Sequence, residues 1–159
     1  MADSMHIYLA GPFFDEANEQ RDRANRVADK LRQNPSVTSV FVPMDSDENT
    51  SADFSQALDK QHEWGTMTYN SDIDELSKAD AVVAILDFYG HGMDDGTAFE
   101  VGYFHALFPN KPVLIYQEGD ELANLMLTNA ARFYTKDIND LETVDFQNMP
   151  VKEYEGALF

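Results

Sequence analysis

The run Ala81-Val82-Val83-Ala84-Ile85-Leu86 contains no polar residue. A short apolar run without alternation reads as a strand buried on both faces, as in a parallel sheet covered by helices. It is followed by an acidic, glycine-bearing loop, Tyr89-Gly90-His91-Gly92-Met93-Asp94-Asp95. After it comes Gly96-Thr97-Ala98-Phe99-Glu100-Val101-Gly102-Tyr103. Strand, glycine loop and helix in that order place ligands in the crevice at the carboxyl end of a parallel sheet. Glu100 is the one carboxylate in the third segment. It is expected in the first helical turn, at the floor of the crevice, with its charge favoured by the helix N-terminus.

The rest of the chain repeats the β/α alternation. Ile7 to Ala10 reads as a strand closed by Gly11-Pro12. Positions 15–33 read as a helix, with Ala24, Val27, Ala28 and Leu31 on one stripe. Val40-Phe41-Val42 is a second strand, and 45–53 an exposed acidic loop. A helical region over 54–78 is expected to break near Gly65. Thr97 to Phe108 is apolar almost all round and should be buried on more than one side. Val113 to Tyr116 is a further strand, 121–131 a short helix, and Arg132-Phe133-Tyr134 an edge strand. The aromatic tail, ending Ala157-Leu158-Phe159, is expected to pack against the body. Strands separated by helices imply parallel pairing through right-handed crossovers. The expected fold is α/β, a small doubly wound parallel sheet flanked by helices, Rossmann-like or flavodoxin-like, with 1–159 as one domain.

Composition narrows the function. The formal net charge of -18 repels nucleic acid and anionic membranes, which are bound through clustered Lys and Arg. No apolar run approaches the roughly 18 residues of a membrane span, and no signal peptide is visible, so the expected location is cytoplasmic. There are no cysteines, which removes disulfides and thiolate chemistry. His6, His62, His91 and His105 show no metal-ligand spacing. Neither a nucleophile elbow, a P-loop nor a dinucleotide fingerprint is present. No metal or cofactor is expected.

Two carboxyl groups from different segments, one ionised and one protonated, are what glycosidic bond cleavage requires. Glu100 suits the ionised role, held low beside a helix start, and Asp72 the protonated one, raised by burial. Local pattern leaves alternatives. Thr97-Ala98-Phe99-Glu100 also fits a capping box, and Asp72 precedes further acids as a surface residue would. Tyr8 stands where a phenol could hold the Glu100 carboxylate, or where a core tyrosine would sit. Asn124 is an amide in an apolar segment, or a helix cap.

These segments together have a family resemblance. Ile7-Tyr8-Leu9-Ala10-Gly11-Pro12-Phe13-Phe14, Tyr69-Asn70-Ser71-Asp72, the stretch from Asp94 to Tyr103, Asn124-Leu125-Met126 and the terminal Tyr154-Glu155-Gly156-Ala157-Leu158-Phe159 resemble the nucleoside 2-deoxyribosyltransferases. The resemblance implies a cofactor-free exchange between 2'-deoxynucleosides and free purine or pyrimidine bases, a step of nucleotide salvage. It implies Glu100 as the nucleophile that takes the deoxyribosyl group, Asp72 as the acid near the base, and Tyr8 as the tyrosine beside the nucleophile. Asp94 would bind substrate, and Gly11, Phe13 and Met126 stand inside the same motifs as binding candidates. Asn124 would reach the sugar in a neighbouring subunit's site. That implies a homo-oligomer, commonly a hexamer built of dimers. Phe159 would bring its carboxylate near the base, without the phenol that some members carry there.

Two other functions share these features. A glycosidase of 2'-deoxynucleoside 5'-monophosphates would use the same glutamate and tyrosine but needs phosphate donors. A non-catalytic nucleoside-binding module would use the fold alone.

Overall fold

A computed structural model describes residues 3–15, 17–46, 49, 53–90 and 92–159. His91 and most of the acidic 45–53 loop lie outside the described residues. The elements in chain order are β1 (His6–Ala10), α1 (Glu19–Gln33), β2 (Ser39–Phe41), a 3-10 turn (Pro43–Asp45), α2 (Leu58–Lys78) and β3 (Ala81–Ile85). They continue with α3 (Asp95–Leu107), β4 (Val113–Tyr116), α4 (Leu125–Ala130), β5 (Phe133–Thr135) and α5 (Asp140–Thr143). The five strands form one sheet in the order β2-β1-β3-β4-β5. All four pairings are parallel. This is the flavodoxin-like doubly wound order, in which the chain reverses direction between β1 and β3.

The two faces of the sheet explain which helix lies where. Strand side chains alternate between faces. Ile7, Leu9, Val83, Ile85 and Leu114 join one buried cluster with Ala24, Val27, Ala28 and Leu31 of α1. Tyr8, Ala10, Val82, Ala84, Val113 and Ile115 join the other, with Leu76 of α2 and Val101 and Phe104 of α3. Each residue of β3 is buried, as the unbroken apolar run requires. Tyr8 therefore points toward α2 and α3 because of its register in β1, between two residues that point toward α1.

Several boundaries move for local reasons. Helix α1 begins at Glu19 because Asp15 caps it from outside: its Oδ2 accepts from the Glu19 and Gln20 amides at 3.0 and 3.3 Å. Helix α2 runs through Gly65 without a break. A single helical glycine costs about 1 kcal/mol against alanine, which the packing of the inner face outweighs. The predicted 121–131 helix shrinks to α4 because Asn124 caps it, its Oδ1 accepting from the Met126 amide at 2.9 Å. The expectation that the third helix is buried on several sides fails in the single chain. Helix α3 buries Thr97, Val101 and Phe104, whereas Phe99 and Leu107 are 52% and 48% exposed. The tail packs in part: Leu158 bridges Ala123, Lys152 bridges Phe133, and the Tyr154 ring meets Tyr134 edge-on at 4.8 Å, while the Leu158 and Phe159 side chains stay exposed.

Candidate active site

The crevice opens where β1 and β3 part. Gly11 ends β1 there because space is short: a Cβ at this position would lie 3.1 Å from Ile85 Cδ1. After β3, Asp87 is buried and its carboxylate accepts the amides of Glu118 and Gly119 at 2.8 and 2.7 Å. This ties the loops after β3 and β4 together beside the crevice. Gly90 and Gly92, at φ 73° and 82°, then turn the chain through the left-handed region toward α3.

Asp94 caps α3. Its Oδ1 accepts from the Thr97 amide at 2.6 Å, leaving Oδ2 for a further partner. This removes the capping-box reading of Thr97 and Glu100, because Thr97 is already inside the helix. It also corrects the position of Glu100, which lies in the second turn rather than the first. There its side chain points inward, and Tyr8 Oη donates to Glu100 Oε1 at 3.1 Å.

The electrostatics of Glu100 also differ from the sequence expectation. Burial pushes its pKa up to about 8; the Tyr8 hydrogen bond pulls the other way, and the charges of Asp72 and Asp94 push further up. A carboxylate removed from water loses hydration that one phenol does not replace. Glu100 is thus not held low by the helix start. Tyr8 has no exposed surface, and burial, followed by the negative charge of Glu100, pushes its phenol far above its ordinary range. It remains a donor at any working pH.

Beside Glu100 lies a cavity of about 470 Å³ whose walls include Gly11, Phe13, Asp72, Asp94 and Glu100 itself. The structure therefore brings together six of the residues picked from the sequence: these five and Tyr8. Trp64, Thr68, Phe88 and Asn49 also line it and were missed by sequence reasoning. Trp64 and Thr68 could have been found, since they precede Asp72 by eight and four residues on one helical stripe. Phe88 comes from the loop after β3, which has no periodic signal. A second cavity of about 400 Å³ lies between α2 and α3, with Tyr69, Phe99, Asp72 and Glu100 among its walls.

Asn124, Met126 and Phe159 line neither cavity. They form a separate group, in which the Leu125 amide donates to the main-chain oxygen of Phe159 at 3.2 Å and the Phe159 amide to Ala123 O at 3.3 Å. In this chain Asn124 is a helix cap, and Met126 and Phe159 are 72% and 60% exposed. Among the described residues, no cluster of three or more His, Asp or Glu side chains could hold a metal ion, and no helix is long and apolar enough to cross a membrane.

A carboxylate at a doubly wound switch point, hydrogen-bonded by a buried phenol and sharing a cavity with a second acid, is an arrangement that glycosyl transfer can use. The sequence comparisons give the family. The model of the family described as nucleoside 2-deoxyribosyltransferase matches residues 7–147. A nucleoside deoxyribosyltransferase of Limosilactobacillus fermentum is 33% identical over 156 residues, covering 93% of this chain and 84% of that protein. The solved 2-deoxyribosyltransferase of Bacillus psychrosaccharolyticus superposes with a TM-score of 0.71 at 33% identity, covering 94% of this chain and 98% of the other. A 2-desoxiribosyltransferase from Leishmania mexicana, 21% identical with a TM-score of 0.53, covers 98% of this chain and 83% of its own and shares the fold. The chain belongs to the nucleoside 2-deoxyribosyltransferase family and is an enzyme of pentosyl transfer.

Proposed function

We propose that this enzyme, acting as one domain, exchanges the base of 2'-deoxynucleosides through a covalent deoxyribosyl-Glu100 intermediate, with retention of the β configuration. The observation that carries the reading is the Tyr8–Glu100 hydrogen bond at the wall of a cavity shared with Asp72 and Asp94. A Glu100 carboxylate oxygen attacks C1'. The bond from C1' to the base nitrogen breaks, and Asp72 delivers a proton to the departing base. A second base then attacks C1', the bond to Glu100 breaks, and Asp72 takes a proton back. Both steps pass through oxocarbenium-like states, whose positive charge is stabilised by surrounding carboxylates.

That same developing charge favours the ionised form of Glu100, offsetting the burial that opposes it in the resting cavity. Tyr8 steers the carboxylate rotamer. Asp94, through the oxygen not used in capping, binds the sugar, and Gly11 and Phe13 shape the wall. The acids Asp72, Asp94, Asp95 and Glu100 all line the cavity. Their repulsion of a phosphate supports an unphosphorylated nucleoside as donor. A carboxylate close to C1' leaves little room for a 2'-hydroxyl, which supports preference for deoxyribose.

The reading includes a homo-oligomer. Asn124, Met126 and Phe159 stand apart from Glu100, and Tyr69 and Phe99, 54% and 52% exposed, form an apolar face beside the second cavity. A neighbouring subunit that covers this face would bring its own Asn124 to the sugar. Incubation of thymidine with adenine, followed by chromatography, tests the reaction. Formation of deoxyadenosine is expected; unchanged thymidine together with unchanged 2'-deoxyinosine in a parallel incubation would refute it.

A further inference from the structure

Trp64, Thr68, Asp72, Gly96 and Glu100 line both cavities and so form the partition between them. Thr68 departs from ordinary helical behaviour. A threonine inside a helix commonly turns its hydroxyl back onto the carbonyl four residues before it, here that of Trp64. Thr68 Oγ1 makes no such bond: it is buried and has no hydrogen-bond partner among the described residues. What Thr68 shows to the cavities is therefore carbon. A buried hydroxyl without a partner is destabilising, and an apolar group of the same shape would remove that penalty.

A rotation about χ1 moves the hydroxyl to another staggered position on Cβ, the methyl group and the hydrogen moving with it, and a helical threonine has two populated χ1 wells. The rotation alters no backbone. It sets a group able to donate and to accept at the cleft wall, one helical turn from Asp72. We propose that Thr68 is a base-contacting residue, its hydroxyl turning to a ring nitrogen or carbonyl oxygen of the nucleobase held beside Asp72. The assignment rests on the transferase reading given above. Because a hydroxyl serves either polarity, Thr68 contributes affinity for purine and pyrimidine donors alike. The bond that Thr68 Oγ1 does not make among the described residues is made to the base in the complex.

Thr68→Val and Thr68→Ser separate this from a structural role, since valine and threonine have similar helix propensity. Thermal unfolding without ligand is measured first. Steady-state transfer to adenine is then measured with 2'-deoxyinosine and with thymidine as donors. Thr68→Val is expected to unfold at a higher temperature than the wild type, yet to raise KM for both donors about tenfold, the size of one hydrogen bond. Thr68→Ser keeps KM near the wild-type value. Wild-type KM for both donors in Thr68→Val overturns the proposal. A lowered unfolding temperature for that variant, whatever its kinetics, also overturns it, because the hydroxyl would then be making a structural bond. Absence of transfer by the wild type overturns the transferase reading itself; wild-type transfer with unaltered Thr68→Val kinetics overturns only the assignment of Thr68.

Discussion

Tyr8 and Glu100 are 92 residues apart in sequence, and the phenol of the first donates to the carboxylate of the second over 3.1 Å. The bond crosses from β1 to α3 inside the cluster that covers one face of the sheet. The Tyr8 ring is held from behind by Phe41, with centroids 5.4 Å apart. Glu100 thus has a rigid orienting partner, fixed by a strand and not by a loop. The same burial makes the carboxylate reluctant to ionise, and against the Tyr8 bond, with the charges of Asp72 and Asp94 adding to it, raises its pKa to about 8.

Glu100→Gln should lose at least ~100-fold in transfer rate, at the lower end of what removal of a key catalytic group costs. Its stability should move the other way. The folded pKa lies above the ordinary 4.5, so between these values the folded state binds the proton more tightly than the unfolded chain. Stability from this group is therefore greatest at low pH and falls as pH rises toward 8. The variant lacks that loss. Its unfolding temperature should exceed that of the wild type by a margin that widens between pH 5 and pH 8; parallel curves would show that Glu100 titrates normally.

The pH profile of kcat/KM reports the free enzyme. For the wild type it should rise with pH, reach half its maximum near the Glu100 pKa of about 8 and level off above it. Tyr8→Phe removes the interaction that lowers that pKa, so the rising limb should shift to higher pH. The rate on the plateau should drop about 10-fold, the scale of one hydrogen bond to a charged group. A profile that keeps its limb while losing rate would assign Tyr8 to substrate contact alone.

Asp72→Asn should separate proton delivery from bond making. General acid catalysis is worth ~100-fold or more where the leaving group needs a proton. The loss should be large for purine and pyrimidine donors and small for a deoxyribosyl donor whose leaving group departs as a stable anion. Equal loss with both donors would point to ground-state binding as the function of Asp72.

Asn124→Ala and Glu100→Ala should each be inactive alone and active when mixed and reassembled, if each site draws on two subunits. In random pairing of dimers, half are mixed and one of their two sites is intact, so recovery should approach about a quarter of the wild-type rate. No recovery, with subunit exchange verified by mass spectrometry, would place Asn124 and Glu100 in the same subunit's site.

How far the site could be read from the sequence varied by residue. Glu100 stood out because a lone carboxylate in an apolar helix is costly without a task. Asp72 was less legible, since local pattern favoured a surface acid and only the aromatic and amide residues on its N-terminal side, Tyr69 and Asn70, pointed elsewhere. Thr68 and Trp64 were hidden by the same ambiguity, being ordinary residues on an ordinary stripe. Helix α5, four residues long, left no periodicity to detect. The exposed Phe99 misled in the opposite sense, because apolar composition does not say whether the covering surface belongs to the same chain.

The order of strands and helices, the parallel sheet and the place of the crevice were determined by the sequence itself, since alternation, apolar runs and glycine turns are local properties. Only the tertiary structure decided that Tyr8 meets Glu100, that Asp94 rather than Thr97 caps α3, and that the Glu100 pKa is raised rather than lowered. Those outcomes depend on which strands lie side by side in the sheet and on the water excluded by residues far apart in the chain, and neither is carried by a local pattern.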